Sequence, residues 1–127
     1  MRAQAMNALT QDLATPRGQD MVNEFMSRLD SNGSVEHVRV YIDADSGLGT
    51  YSVRGGNVMV LQPSDLLSSY SGRTGVGFFS YDRIFAHEMG HMAFGNNAFD
   101  DYALTNIKNN ENAIMEQLGY TNDRMFY

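Results

Sequence analysis

The stretch from Phe85 to Gly95 reads FAHEMGHMAFG, with histidines at positions 87 and 91 and a glutamate at 88. A helix turns about 100° per residue, so side chains four apart stand about 40° from one another and both imidazoles face the same side. Such a pair suits zinc, which binds imidazole nitrogen at about 2.0–2.1 Å and in catalytic sites takes three protein ligands and a water. The ion lowers the pKa of that water toward about 7, and a carboxylate beside it can take the proton and pass it to a leaving amine. Glu88, on the flank of the histidine face, is the candidate general base. Phe85, Met89 and Met92, at i, i+4 and i+7, lie on the opposite side and would anchor the helix in a core. The bland alternative is an ordinary helix with two partly exposed histidines.

A third ligand is required, and the absence of cysteine restricts it to histidine or carboxylate. His37 is the remaining histidine, and it falls among solvent-facing neighbours on a predicted strand, which argues against it. A third motif histidine at the metzincin offset is ruled out, because Phe94 and Asn97 occupy the positions of the glycine and histidine in that pattern. Glu111 follows His91 by twenty residues on the next predicted helix, a spacing that resembles the thermolysin-like gluzincins, in which a glutamate at this distance completes the zinc site. Glu111 is therefore the preferred third ligand, with Asp100 and Asp101 as rivals; Glu116 needs a different helix phase. A solvated helix-surface glutamate is the ordinary reading of Glu111. Tyr120, just past that helix, is the candidate donor to a tetrahedral oxyanion, with Tyr102 and Tyr127 competing.

These residues need elements to hold them. The stretch to Ala14 is compatible with a helix, TPRG at 15–18 interrupts it, and Met21, Val22, Phe25, Met26 and Leu29 form an apolar stripe that stops at Ser31-Asn32-Gly33. Val38, Val40 and Ile42 alternate with polar residues as in a half-buried strand. TYSVR and VMVLQ read as two further strands, closed by Pro63. The three together predict an antiparallel meander over residues 35–62. Residues 68–77, rich in serine and glycine, read as a loop. The pattern predicts a helix from Ser80 through Phe94, stopped at Gly95, and another from Thr105 to Leu118, ended by Gly119.

At 127 residues the chain fits one domain, residues 1–127, of class α+β. With 43% hydrophobic and 19% charged residues it is a globular composition, and no apolar run reaches the roughly 18 residues of a membrane helix. The N-terminus lacks the pattern of a signal peptide. A net charge of −6 provides no basic surface for phosphate backbones, so neither nucleic acid nor membrane is an expected partner.

Two stretches, FAHEMGH and ENAIMEQLGYTNDRMFY, together resemble the NleD-like effector metallopeptidases of bacterial type III secretion, also found as toxin domains. The resemblance covers about two-thirds of the chain in layout, but only those two blocks are specific. It implies a small zincin-like domain, an antiparallel three-stranded sheet packed on the motif helix and a C-terminal helix. It also implies a monomeric zinc endopeptidase that acts on a protein or peptide, either cytoplasmic or delivered into a target cell by a specialised secretion route. His87 and His91 would be ligands and Glu88 catalytic. The chain departs from the family pattern at Met115, Thr121 and Arg124. Two other readings remain: a catalytically silent zincin-like binding or regulatory module, and a structural metal site closed by a fourth ligand such as Asp101.

Overall fold

The computed structural model describes residues 2–44, 47, 49–95 and 104–126. Among them the chain forms an α+β domain with four helices, a three-stranded mixed sheet and a two-stranded hairpin. None of these helices is long and apolar enough to cross a membrane.

Helix α1 (Arg2–Ala14) and helix α2 (Pro16–Met26) meet at the TPRG break. Thr15 caps α2 by accepting from the Gly18 amide at 3.0 Å, and Pro16 fills a first-turn position that needs no donor. Met21 and Phe25 of the apolar stripe are buried. Met26 and Leu29 are both 61% exposed, because α2 ends at Met26 and the helical phase does not extend to Leu29.

The three strands predicted from alternation form, but not as a meander. Strand β1 (Arg39–Ile42) runs parallel to β3 (Val58–Leu61), and β2 (Tyr51–Ser52) pairs antiparallel with the other side of β3, giving the order β1-β3-β2. The sheet is therefore mixed rather than antiparallel. Period-two alternation fixes which face of a strand is buried and says nothing about which strand lies beside it. With neighbours on both sides, β3 buries Met59, Val60 and Leu61 in a row.

Residues predicted as a loop instead form a hairpin, β4 (Ser69–Gly72) with β5 (Gly75–Phe78), and Gly72 also bridges to Arg124 in the C-terminal tail. Helix α3 (Tyr81–Phe94) carries the histidine motif. It begins where Ser80 accepts from the Arg83 amide and ends at Gly95, whose φ of 62° is the left-handed stop that glycine provides. Phe85, Met89 and Met92 are at most 1% exposed, each contributing about 1.5–3 kcal/mol of burial. The predicted 105–118 helix is a π-helical turn, Ile107–Glu111, running into α4 (Asn112–Gln117). α3 packs against α1, α2, β2, β3, the π turn and α4, so it forms the centre of the domain.

Candidate metal centre

On α3 the two motif imidazoles face one another, with His87 Nε2 and His91 Nε2 3.1 Å apart. Two nitrogens bound to one tetrahedral zinc at about 2.0–2.1 Å stand about 3.3–3.4 Å apart, so the pair is spaced to share an ion with a shift of a few tenths of an ångström. Both rings are mostly buried, His87 9% and His91 4% exposed.

Glu111 meets this pair from behind. Its Oε1 lies 2.9 Å from His87 Nδ1, the ring nitrogen turned away from His91, and the glutamate is fully buried. Arg83 donates to its Oε2 at 2.7 Å and Arg124 to its Oε1 at 3.1 Å. Burial works to raise the Glu111 pKa, but the hydrogen bond and charge of His87 and the charges of Arg124 and Arg83 outweigh it, leaving the carboxyl below its ordinary value and ionised. The sequence-expected ligand thus stands on the Nδ1 side of His87, the position of a carboxylate that orients a metal-binding histidine. The π turn delivers it there: its extra residue per turn ends at Glu111, and π turns recur at functional sites.

The face of α3 opposite the core opens into a groove. Two contiguous hollows share Thr50, His87 and Glu88; one continues to Phe79, Ile84 and Arg124, the other to Arg54 and His91. Glu88 lies between them, and Ser52 of β2 donates to its Oε2 at 2.5 Å, a short charge-assisted bond that fixes the carboxylate in the groove. Arg54 Nη1 lies 2.9 Å from His91 Nδ1. Guanidinium only donates, so this nitrogen accepts, and neutral His91 carries its proton on Nε2, toward His87. An imidazole ligated through Nε2 keeps its proton on Nδ1 instead. The Arg54 contact and metal ligation by His91 Nε2 therefore exclude each other.

Of the other sequence candidates, Tyr120 is on a different side of the helix. Its hydroxyl donates to Asp82 at 3.3 Å, and Asp82 is about 140° around α3 from His87. His37 and Glu116 are exposed. Asp100, Asp101, Tyr102, Asn97 and Tyr127 lie outside the described residues. Among the described residues no group of three histidine, aspartate or glutamate side chains stands ready to hold a metal. No protein-family model, curated protein or solved structure matches the chain.

Sequence reasoning missed Arg83, Arg54, Asn106 and Asn110. Arg83 had a signal: it precedes His87 by four residues, as His87 precedes His91, on one helix face. The asparagines had none. Asn106 donates to the His87 carbonyl at 3.0 Å and accepts from Asn110 at 2.8 Å, and Arg17 donates to Asn110 at 2.9 Å. This ladder lies against Gly90, where a Cβ would overlap the amide groups of both asparagines.

Proposed function

We propose that the chain is a zinc-dependent endopeptidase of the NleD-like kind, a zincin-like effector or toxin domain that hydrolyses a peptide bond in a protein substrate. The observation that carries this reading is the pair of Nε2 atoms facing each other at 3.1 Å, beside a groove that also holds Glu88; ligation by His91 requires Arg54 to leave its Nδ1. Bound zinc would supply a polarised carbonyl and an acidified water.

The chain's own groups divide the remaining work. Glu88, aligned by Ser52, accepts the proton of the attacking water and returns it to the leaving amine. Glu111 holds the ring of His87 by accepting from Nδ1, which leaves Nε2 for the ion. With Glu111 committed to His87 and two arginines, Asp100 and Asp101 are the proposed sources of the third ligand. Comparing zinc content in Asp100→Asn and Asp101→Asn chains distinguishes them.

β3 is paired on both sides, so an extended substrate cannot add beside Val58 to Leu61. Among the described residues the outer side of β2 is unpaired, and Ser52 of that strand touches Glu88. A substrate strand added to β2 would lie along the groove.

The test compares wild type with Glu88→Gln. Zinc content should be equal in both, while cleavage of a peptide library falls about 10²–10⁴-fold in the variant. Equal zinc with no cleavage by either chain supports the silent module instead, and absence of stoichiometric zinc in wild type overturns the metal reading altogether.

A further inference from the structure

The hollow that runs from Glu88 to Arg124 has a volume of about 180 Å³, and its wall can be followed residue by residue. Asp65, in the short helical turn Pro63–Leu67 after β3, accepts the Thr50 amide on Oδ2 at 2.7 Å. The Asp65 carbonyl receives the Ser68 amide and the Ser68 carbonyl receives the Phe79 amide, while the Arg124 guanidinium lies 5.0 Å over the Phe79 ring. A carboxylate therefore stands at one end of this wall and a guanidinium at the other, with an aromatic ring between; buried Ile84 adds to the apolar lining. The two charges are not equivalent. Arg124 is held by Glu111 at 3.1 Å and by the Phe126 carbonyl at 2.9 Å. Among the described residues no basic side chain pairs with half-buried Asp65, and its Oδ1 accepts no hydrogen bond. Thr50 is itself pinned, its hydroxyl accepting from the Gln62 amide at 3.0 Å, so the carboxylate is fixed before any ligand arrives.

We infer that this hollow is a side-chain subsite for a lysine or arginine of the substrate, and that Asp65 is the residue that selects it. The inference rests on the endopeptidase reading above and names the substrate class which that reading leaves open. A long basic side chain matches the lining: its methylenes lie along Phe79 and Ile84 while its charged head reaches Asp65 Oδ1. An acidic side chain would meet Asp65 and Glu88 together, and an apolar one would take water from Asp65 without replacing it. Glu88 is drawn toward β2 by its bond from Ser52. Thr50 immediately precedes β2, so a substrate strand laid on β2 passes the mouth of the hollow. Ser52, two residues on, marks the position of Glu88, about 7 Å away along a strand. The basic residue thus falls within about two positions of the scissile bond.

A randomised dodecapeptide library is incubated with the zinc-loaded wild type, Asp65→Asn and Asp65→Lys chains, and the cut bonds are read by sequencing. Wild type should cut at a fixed distance from a lysine or arginine, with kcat/KM about 10–100-fold above that for the same peptide carrying norleucine there. Asp65→Asn should lose this preference and Asp65→Lys should turn it toward glutamate. Asparagine still accepts from the Thr50 amide, so Asp65→Asn should melt with wild type, which separates loss of the subsite from loss of the fold. In parallel, the Glu88→Gln chain, with and without Asp65→Asn, captures peptides from the same library without cutting them. The first should enrich peptides with a single basic residue and the second should not. If wild type cuts no peptide, the endopeptidase reading fails and the capture comparison alone decides the subsite. Cutting or capture with no basic preference, or a preference that survives Asp65→Asn, overturns the inference. Capture only of peptides basic throughout also overturns it, because the net charge of −6 explains that without a subsite.

Discussion

Glu111 is the residue on which the histidine centre rests mechanically. It accepts from His87, Arg83 and Arg124 while fully buried, so changing it to glutamine leaves two mostly buried guanidinium groups without their counter-charge. Removing one partner of a buried ion pair costs about 3–5 kcal/mol, and loss of a carboxylate behind a metal-binding histidine costs about 10–100-fold in metal affinity. Glu111→Gln should show both losses, read by urea unfolding and by competition with a zinc chelator; a variant as stable as wild type would place the two arginines elsewhere. Asp12 gives a pH prediction of the opposite sign from an ordinary carboxylate. Its folded value of about 9 lies above the ordinary 3.8, so the folded chain binds a proton that the unfolded chain has lost throughout that interval. The stabilisation is present in full below about 3.8 and disappears as pH rises through about 9. Asp82 and Tyr120 are also shifted upward, Asp82 chiefly by burial and Tyr120 chiefly by the charge of Asp82. Melting the chain from pH 5 to pH 9, with Asp12→Asn as control, should show a decline in wild type that the variant lacks.

Among the elements, α3 was the most legible in the sequence, because everything that defines it is local. Ser80 as cap, the Phe85, Met89 and Met92 stripe and the Gly95 stop all sit within the helix they describe. The sheet was legible only as strands. Whether β1 lies beside β2 or β3 depends on how the chain crosses between them, and nothing in VEHVRVYID records that. The β4–β5 hairpin was concealed because serine and glycine at alternate positions give no apolar signal, although Tyr70, Val76 and Phe78 belong to it. The π turn was invisible as well, since its extra residue serves a contact and not a periodicity. Gly90 exposes that contact to test. A methyl at this position drives into the Asn106 and Asn110 amides, so Gly90→Ala should destabilise the fold by about 1–3 kcal/mol by denaturant titration, against the small gain alanine brings to a free helix.

For the molecule as a whole, the site was half legible. Spacing placed His87, His91 and Glu88 together before any fold was known, whereas the partners that set their orientation come from residues at 17, 52, 54 and 106–124, which no local pattern links to the motif. The fold joins them through β2. Because Tyr51 opposes Val60 and Val53 donates to Val58, alternation along the antiparallel pair turns the amide and carbonyl of Ser52 outward, beside Glu88. A non-hydrolysed peptide held by the Glu88→Gln chain should slow hydrogen exchange at the Ser52 amide more than elsewhere in the sheet. Exchange slowed only at the hairpin would put the substrate on the other wall.

The turn after β2 has a mechanical consequence of its own. Gly55 donates to the His91 carbonyl at 3.0 Å, the same oxygen that receives the Gly95 amide, and Arg28 reaches from α2 to the carbonyls of Gly56, Met92 and Ala93. The floor of the groove and the wall nearest His91 are thus riveted at one corner and travel together. Any widening that admits a bulky chain must swing on the far side, where the hairpin and the C-terminal tail meet.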